Sequence, residues 1–415
     1  MRNQKRFAVN HRGGVGEIGS ICNHGVIQPG TIGKTLCNHH MQNAAPIPAS
    51  VVNRDLRGCV HEEELAKLLG VWLYPGRVLG STRKEDIVQF HPDLKPGWDW
   101  ITRHYERIGL EHSQNVIWDD SYEVAQDFPG YKLSTFFFGQ MANQVRPDPV
   151  RLEITKAMNQ KNKFIALARY LGVPTPKTWL FDCKSEVQDL KDFPYPCVLK
   201  ISESVSGLGV VKCETREDLE GELNALASKV PFQIQEYLAG AVFPSVQYGI
   251  SEKLIFIIET ANILEGVMHA GNWGGEPMPY RPSTITWPLA RALWQLGMKG
   301  WFSFDAAYWQ GKYYVLECNP RYTGAAYPYN VAAKLGARFW IHKNYSSSCK
   351  SLEELDLGEL EFGASNHGKS NTGCEGWILV NWGPLAAGEG KGGFLYVGSP
   401  ERFRRFEERL INLLV

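Results

Sequence analysis

The stretch WFSFDAAYWQGKYYVLECNPR, residues 301–321, decides how the rest of the chain is read. Two runs rich in β-branched and aromatic residues, Trp301 to Trp309 and Tyr313 to Glu317, flank Gln310-Gly311, a turn signal that predicts a hairpin. The first strand carries Asp305, and the second presents Glu317, Asn319 and Arg321 at its end. Side chains alternate along a strand, so Glu317 and Asn319 share one side if the extended form persists through Cys318. Two carboxylates and an amide oxygen on neighbouring strands are hard oxygen ligands that suit Mg²⁺, or Mn²⁺ in its place, held between protein and phosphate. Arg321 adds a rigid cationic fork for phosphate or carboxylate. Taken singly, each residue could equally be a solvated charge on an ordinary hairpin, and only the set points to a ligand.

Upstream, Cys197 to Ile201 reads as a strand bearing Lys200, followed by the small residues of Ser202 to Gly209 and a returning strand, Val210 to Lys212. Small residues let backbone N–H groups approach phosphate oxygens, and Lys200 supplies a point charge. The order GxxxxGK[ST] is missing and a strand follows, so the loop reads as a hairpin flap and not a P-loop. Thr215 caps a helix with Asp218 three residues on. Further strands are expected at Phe232 to Leu238, Ser245 to Ile250 and Leu254 to Ile258, the first ending in Gln235-Glu236-Tyr237-Leu238. A helix from Lys161 to Leu171 is closed by Gly172, Pro174 and Pro176.

In this order the elements resemble the ATP-grasp family of carboxylate ligases, over roughly Leu152 to Leu335. Four motifs carry the likeness: Asn159-Gln160-Lys161 with Leu171-Gly172-Val173-Pro174-Thr175-Pro176; Val198-Leu199-Lys200 before the Ser/Gly loop; Gln235 to Leu238; and Asp305 with Glu317-Cys318-Asn319-Pro320-Arg321. The resemblance implies an α/β (α+β) fold in which two α+β subdomains clasp ATP. It implies that Lys161 and Lys200 hold the phosphates, with Lys163 the register alternative to Lys161, and that Ser206, Gly207 and Gly209 close over them. Backbone at Gln235, Glu236 and Tyr237, with Leu238 beside it, would hold adenine. Asp305, Glu317 and Asn319 would bind the metal, and Arg321 and Lys200 would act on the transferred phosphoryl group. His269, Asn272 and Arg281 are expected near the substrate, with a surface loop as the alternative, and Asn330 is a further candidate for the acceptor pocket. Many family members place a Glu after the hinge to bind ribose; here Gly240 to Pro244 stands in its place, and the ribose contact stays unassigned.

The implied reaction joins a carboxylic acid to an amine or amino acid through an acyl phosphate. Two alternatives remain open: an ATP-binding regulatory or scaffolding protein, and a ligase with a non-amine nucleophile, although no Met-Lys-Met biotin-carrier segment is present.

The expected organisation is a Gly-, Asn- and His-rich arm over 1–68, an α/β pre-ATP-grasp domain over 69–150, the ATP-grasp domain over 151–345 with its flap subdomain at about 177–240, a linker or long loop over 346–375, and closing strands and a helix over 376–415. In the second region, apolar Val71 to Val78, Asp86 to Phe90 and a helical pattern at Trp98 to Ile108 suggest βα alternation. The arm holds Cys22-Asn23-His24 and Cys37-Asn38-His39-His40, but CxH spacing serves one tetrahedral zinc ion poorly, so a polar, partly disordered arm is the preferred reading. Gly13-Gly14-Val15-Gly16 lacks the strand and helix of a dinucleotide loop.

The 415 residues suffice for two or three domains, and 44 Lys plus Arg balance 44 Asp plus Glu. A zero net charge offers no footprint for nucleic acid or an anionic membrane. No apolar run reaches about 18 residues, the start lacks a signal-peptide core, and nine scattered cysteines form no disulfide framework, so a cytoplasmic protein is expected. A homodimer is left open.

Overall fold

The computed structural model describes residues 35–39, 71–204, 209–266, 268–275, 281–364 and 374–415. Three sheets organise them.

Strands β1 (Thr35–Asn38), β2 (Ile87–Gln89), β3 (Asn115–Ile117) and β4 (Lys132–Thr135) form a parallel sheet in the order β3-β2-β1-β4, with helix α1 (Trp98–Arg107) between β2 and β3. After α2 (Gln140–Val145) and α3 (Pro149–Met158) comes α4 (Lys161–Tyr170), which buries Phe164, Ile165 and Ala168 and ends at Gly172 in the left-handed region. The second sheet is antiparallel: β5 (Thr178–Phe181), β6 (Cys197–Ile201), β7 (Val210–Cys213) and β8 (Phe232–Glu236), ordered β5-β8-β6-β7, with α5 (Arg216–Ala225) packed on it. Thr215 and Asp218 form the expected reciprocal cap of α5.

The third sheet contains β9 (Pro244–Ile250), β10 (Leu254–Glu265), β11 (Met268–Gly274), β12 (Gly300–Trp309), β13 (Lys312–Asn319), β14 (Trp340–Ser346), β15 (Gly376–Asn381) and β16 (Lys391–Val397). Its order is β13-β12-β9-β10-β11-β14-β16-β15, antiparallel throughout. The helices α6 (Ser283–Leu296), α7 (Ala326–Lys334), α8 (Gly383–Ala386) and α9 (Pro400–Leu414) complete it. On α9 the residues Phe406, Leu410 and Leu414, four apart, are buried, while Glu408 and Arg409 face solvent and Glu407 pairs with Lys343. No helix among the described residues is long and apolar enough to cross a membrane.

Four expectations need correction. Val71–Ser81 is a 3₁₀ run, not a strand: Pro75 cannot donate to a ladder, and Gly76 lies so close to the Trp382 ring that a Cβ would stand 2.8 Å from Cε2. The arm supplies β1, an inner strand of the parallel sheet, tied down by Thr35 N–H donating to Asp86 Oδ1 at 3.0 Å. Four apolar-to-polar residues between Gly- and Asn-rich flanks show no periodicity to read. Residues 346–364 are no linker, because Leu352, Leu355, Leu357, Leu360 and Phe362 are buried in the main core. The segment around His269 is not a surface loop but β11, near the middle of the eight-stranded sheet. Cys37 packs in the core, and His39 bonds to Tyr327 and Ser134; Cys22, His24, His40, the glycines at 13–16, and residues 365–373 lie outside the described residues.

Candidate active site

A cavity of about 280 Å³ lies between the second and third sheets, with Lys161 at its edge. One wall comes from β6 and β8 with Val198, Lys200 and Gln235; the other comes from β12 and β13 with Asp305, Glu317 and Asn319.

The β12–β13 hairpin turns at Gln310 and Gly311, both at positive φ (47° and 79°), as a tight turn demands. Its register sets Asp305 opposite Glu317 and Ser303 opposite Asn319, with an irregularity just after Asp305. Asn319 Nδ2 donates to Asp305 Oδ2 at 2.9 Å and to Glu317 Oε1 at 3.4 Å. An amide donor thus stands between two carboxylates, the role a cation would take, and the donor set fits Mg²⁺ or Mn²⁺. Lys161, the first residue of α4, places Nζ 3.2 Å from Glu317 Oε2 and 3.1 Å from Ser204 Oγ. It is buried whereas Lys163 is exposed, so the register alternative falls away.

The two carboxylates are driven apart in acidity. Burial, then the adjacent Glu317 charge, pushes Asp305 up to about 7. Burial alone would raise Glu317 too, but the ammonium groups of Lys161 and Lys200 reverse this and hold it at about 2. Burial lowers Lys200 to about 8. Its Nζ donates to Gln235 Oε1 at 2.7 Å, and Gln235 Nε2 donates to Thr178 Oγ1 at 2.9 Å, so a neutral side chain aims the cation without cancelling its charge.

Gln235 sits on the central strand β8, with its backbone flanked by ladders on both sides. The N–H groups of Glu236 and Tyr237 already donate to the carbonyls of Lys177 and Pro196. Among the described residues, Leu238 N–H is the first amide of the segment without a partner, and it lines the cavity. Leu238 is therefore the free donor of the hinge segment, and Gln235, Glu236 and Tyr237 line the cavity beside it together with Val198 and Leu316. Gly209, at φ 68°, closes the β6–β7 hairpin against Ile201; Ser206 and Gly207 lie outside the described residues.

Arg321 follows β13, where its backbone bridges to Phe137 and its guanidinium lies 5.4 Å from the Phe136 ring centroid. His269 Nε2 donates to Asn272 Oδ1 at 2.9 Å, and Asn272 Nδ2 donates to Asn262 Oδ1 at 2.7 Å. Desolvation of the ring lowers the His269 imidazole below its ordinary basicity, although the residue as a whole keeps an exposed edge. Arg281 is exposed, stands at φ 51° before α6, and is not part of the cavity wall. Asn330 bonds to Ser81 within the core and likewise misses the cavity. The sequence reading missed Asn262, Phe243, Ser245 and Thr323, which line it; the polar Asn262 between the apolar Ala261 and Ile263 of a strand was the available signal.

This arrangement has counterparts among known proteins. Crystalline N5-carboxyaminoimidazole synthetase from Staphylococcus aureus, complexed with ADP, superimposes with a TM-score of 0.52 over 82% of this chain and 95% of that chain at 12% identity. The chain carries the ATP-grasp fold. Sequence likeness adds two enzymes. The carbamoyl phosphate synthase large chain of Clostridium beijerinckii is 27% identical over 177 residues, 39% of this chain and 16% of that protein. A probable alpha-L-glutamate ligase of Sodalis glossinidius is 33% identical over 110 residues, 26% of this chain and 37% of that protein. The chain thus spans well under half the length of these curated relatives, and no family model matches it.

Proposed function

We propose that the protein is an ATP-dependent ligase that joins a carboxylic acid to an amine, most simply an amino acid or small peptide. The observation that carries this reading is the convergence of Asp305, Glu317, Asn319, Lys161 and Lys200 on one cavity, acids on one wall and a cation on the other. ATP binding alone needs no such pairing of a divalent-cation ligand set with a cationic fork; phosphoryl transfer does. The named ligase among the relatives agrees with it.

Asp305, Glu317 and Asn319 would hold Mg²⁺, which supplies charge neutralisation for the nucleotide phosphates. Lys161 and Lys200 would hold the phosphate chain from two sides, with Leu238 N–H at the adenine edge. A substrate carboxylate oxygen attacks the γ-phosphorus, the bond to the β–γ bridging oxygen breaks, and ADP leaves. Lys200 and Arg321 offset charge on the transferring group; the protein contributes position and electrostatics and no covalent nucleophile. The amine then attacks the acyl carbon of the acyl phosphate, the C–N bond forms, the C–O bond to phosphate breaks, and phosphate and a proton are released.

Purified protein incubated with Mg·ATP and pooled small carboxylic acids and amino acids, followed by mass spectrometry, tests the reading. The expected product is lighter by one water than the sum of an acid and an amine. Phosphorylated acid or hydroxamate trapping with no condensed product would remove the amine from the proposal.

A further inference from the structure

A second group of cations lies behind the metal set, and the reaction above uses only one of them. Arg77, from the 3₁₀ run 71–81, and Arg321 lie over the same aromatic ring: their guanidinium carbons stand 5.2 and 5.4 Å from the Phe136 centroid. Arg77 also covers Tyr327 at 4.4 Å. Among the described residues neither guanidinium has an ion pair, and the Nε of each is buried without a hydrogen-bond acceptor. Such orphaned donors are uncommon in a folded interior, and two permanent cations that share one aromatic ring repel unless an anion joins them. One strand beyond Asn272, His342 is buried with both ring nitrogens unpartnered among the described residues, so polar groups without partners continue in this direction.

We infer that Arg77 and Arg321 form a two-point clamp for a substrate bearing an oxyanion in addition to the carboxylate that is phosphorylated. Arg321, on the cavity wall beside the metal set, takes the reacting carboxylate; Arg77, from the N-terminal layer and just outside the lining residues, takes the second anion. The fork of a guanidinium matches either a carboxylate or a phosphorus oxyanion. The substrate class is therefore a dicarboxylic acid or a carboxylic acid bearing a phosphoryl group, an assignment that rests on the ligase reading.

Calorimetry on protein saturated with Mg²⁺ and the non-hydrolysable analogue AMP-PNP tests the clamp, because the phosphate subsite is then filled. The probes are glutarate, 3-phosphonopropionate and butyrate. The expected result is that at least one of the two dianions binds ten-fold or more tightly than butyrate, and which one does so tells a second carboxylate from a phosphoryl group. Arg77→Met should abolish that margin and leave AMP-PNP affinity within two-fold, whereas Arg77→Lys should keep part of it. Equal binding of butyrate and both dianions by the wild type, or an unchanged margin in both Arg77 variants, would overturn the clamp. Failure of the wild type to bind AMP-PNP at all, measured before any acid is added, would instead overturn the ligase reading beneath it.

Discussion

The two walls of the cavity are built in opposite ways. The β5–β8 wall is local: its core, including Leu199, Leu219, Phe232 and Ile234, draws only on residues 179–234, and it presents one cation aimed by a neutral amide. The wall of the eight-stranded sheet is assembled from distant parts of the chain. The core behind β12 and β13 joins Met158 and Phe164 to Leu293, Phe304 and Cys318, while the far end of the same sheet packs in a core that joins Cys37 and Leu73 to Leu410 and Leu414; this wall presents two carboxylates whose acidities are split by burial and by opposing lysines. The comparison teaches that the cationic wall can be perturbed on its own, whereas damage to the acidic wall is felt through the whole molecule or through the chemistry.

The largest effect is expected where the acidic wall touches the reaction. Glu317→Gln removes a charge from the metal set and should lower ADP formation by about 10³-fold or more with the fold retained; near-wild-type turnover in a folded variant would remove the metal assignment. Next comes the long-range core. Trp382, fully buried and bonded through Nε1 to the Gly76 carbonyl at 2.8 Å, joins the 3₁₀ run to the sheet. Trp382→Ala should cost about 3–5 kcal/mol in urea unfolding, and a loss below about 1 kcal/mol would break the claim of one shared core.

On the cationic wall, Lys200→Ala should weaken Mg·ATP binding about ten-fold or more, with an unchanged dissociation constant counting against its phosphate role. The pH dependence sharpens this. Lys200 is lowered to about 8 by burial, so it is charged at pH 7 and loses its proton above pH 8. Nucleotide binding favours the charged form and should weaken by about ten-fold from pH 7 to pH 9, a trend that Lys200→Arg should flatten; a flat wild-type profile would show that Lys200 does not meet phosphate. The smallest effect is local. Thr215→Ala removes the α5 cap and should cost about 1 kcal/mol, with hydrogen exchange rising in α5 and β7 and unchanged in β12 and β13.

The same contrast explains what could be read from the sequence. The β6 strand, the Thr215–Asp218 cap, the Gln310–Gly311 turn and the end of α4 at Gly172 all depend on neighbours in the chain, and the structure shows each where it is expected. Lys161, Lys200, Asp305, Glu317 and Asn319 sit on such elements and meet in one cavity. The strand β1, the buried run through Leu352 and Leu360, and the position of β11 depend on partners far away in sequence: Asp86 for β1, the main core for the leucines, β14 for β11. Arg77 went unread for the same reason, since its significance comes from a ring, Phe136, that only the fold brings near.

The most direct test of the central claim is ADP release by the wild-type protein with Mg·ATP, measured with and without a pool of small carboxylic acids and amines. The account predicts release that needs the acid and reaches its full rate only with the amine. Nucleotide binding without turnover in any pool, or hydrolysis indifferent to the acid, would contradict it.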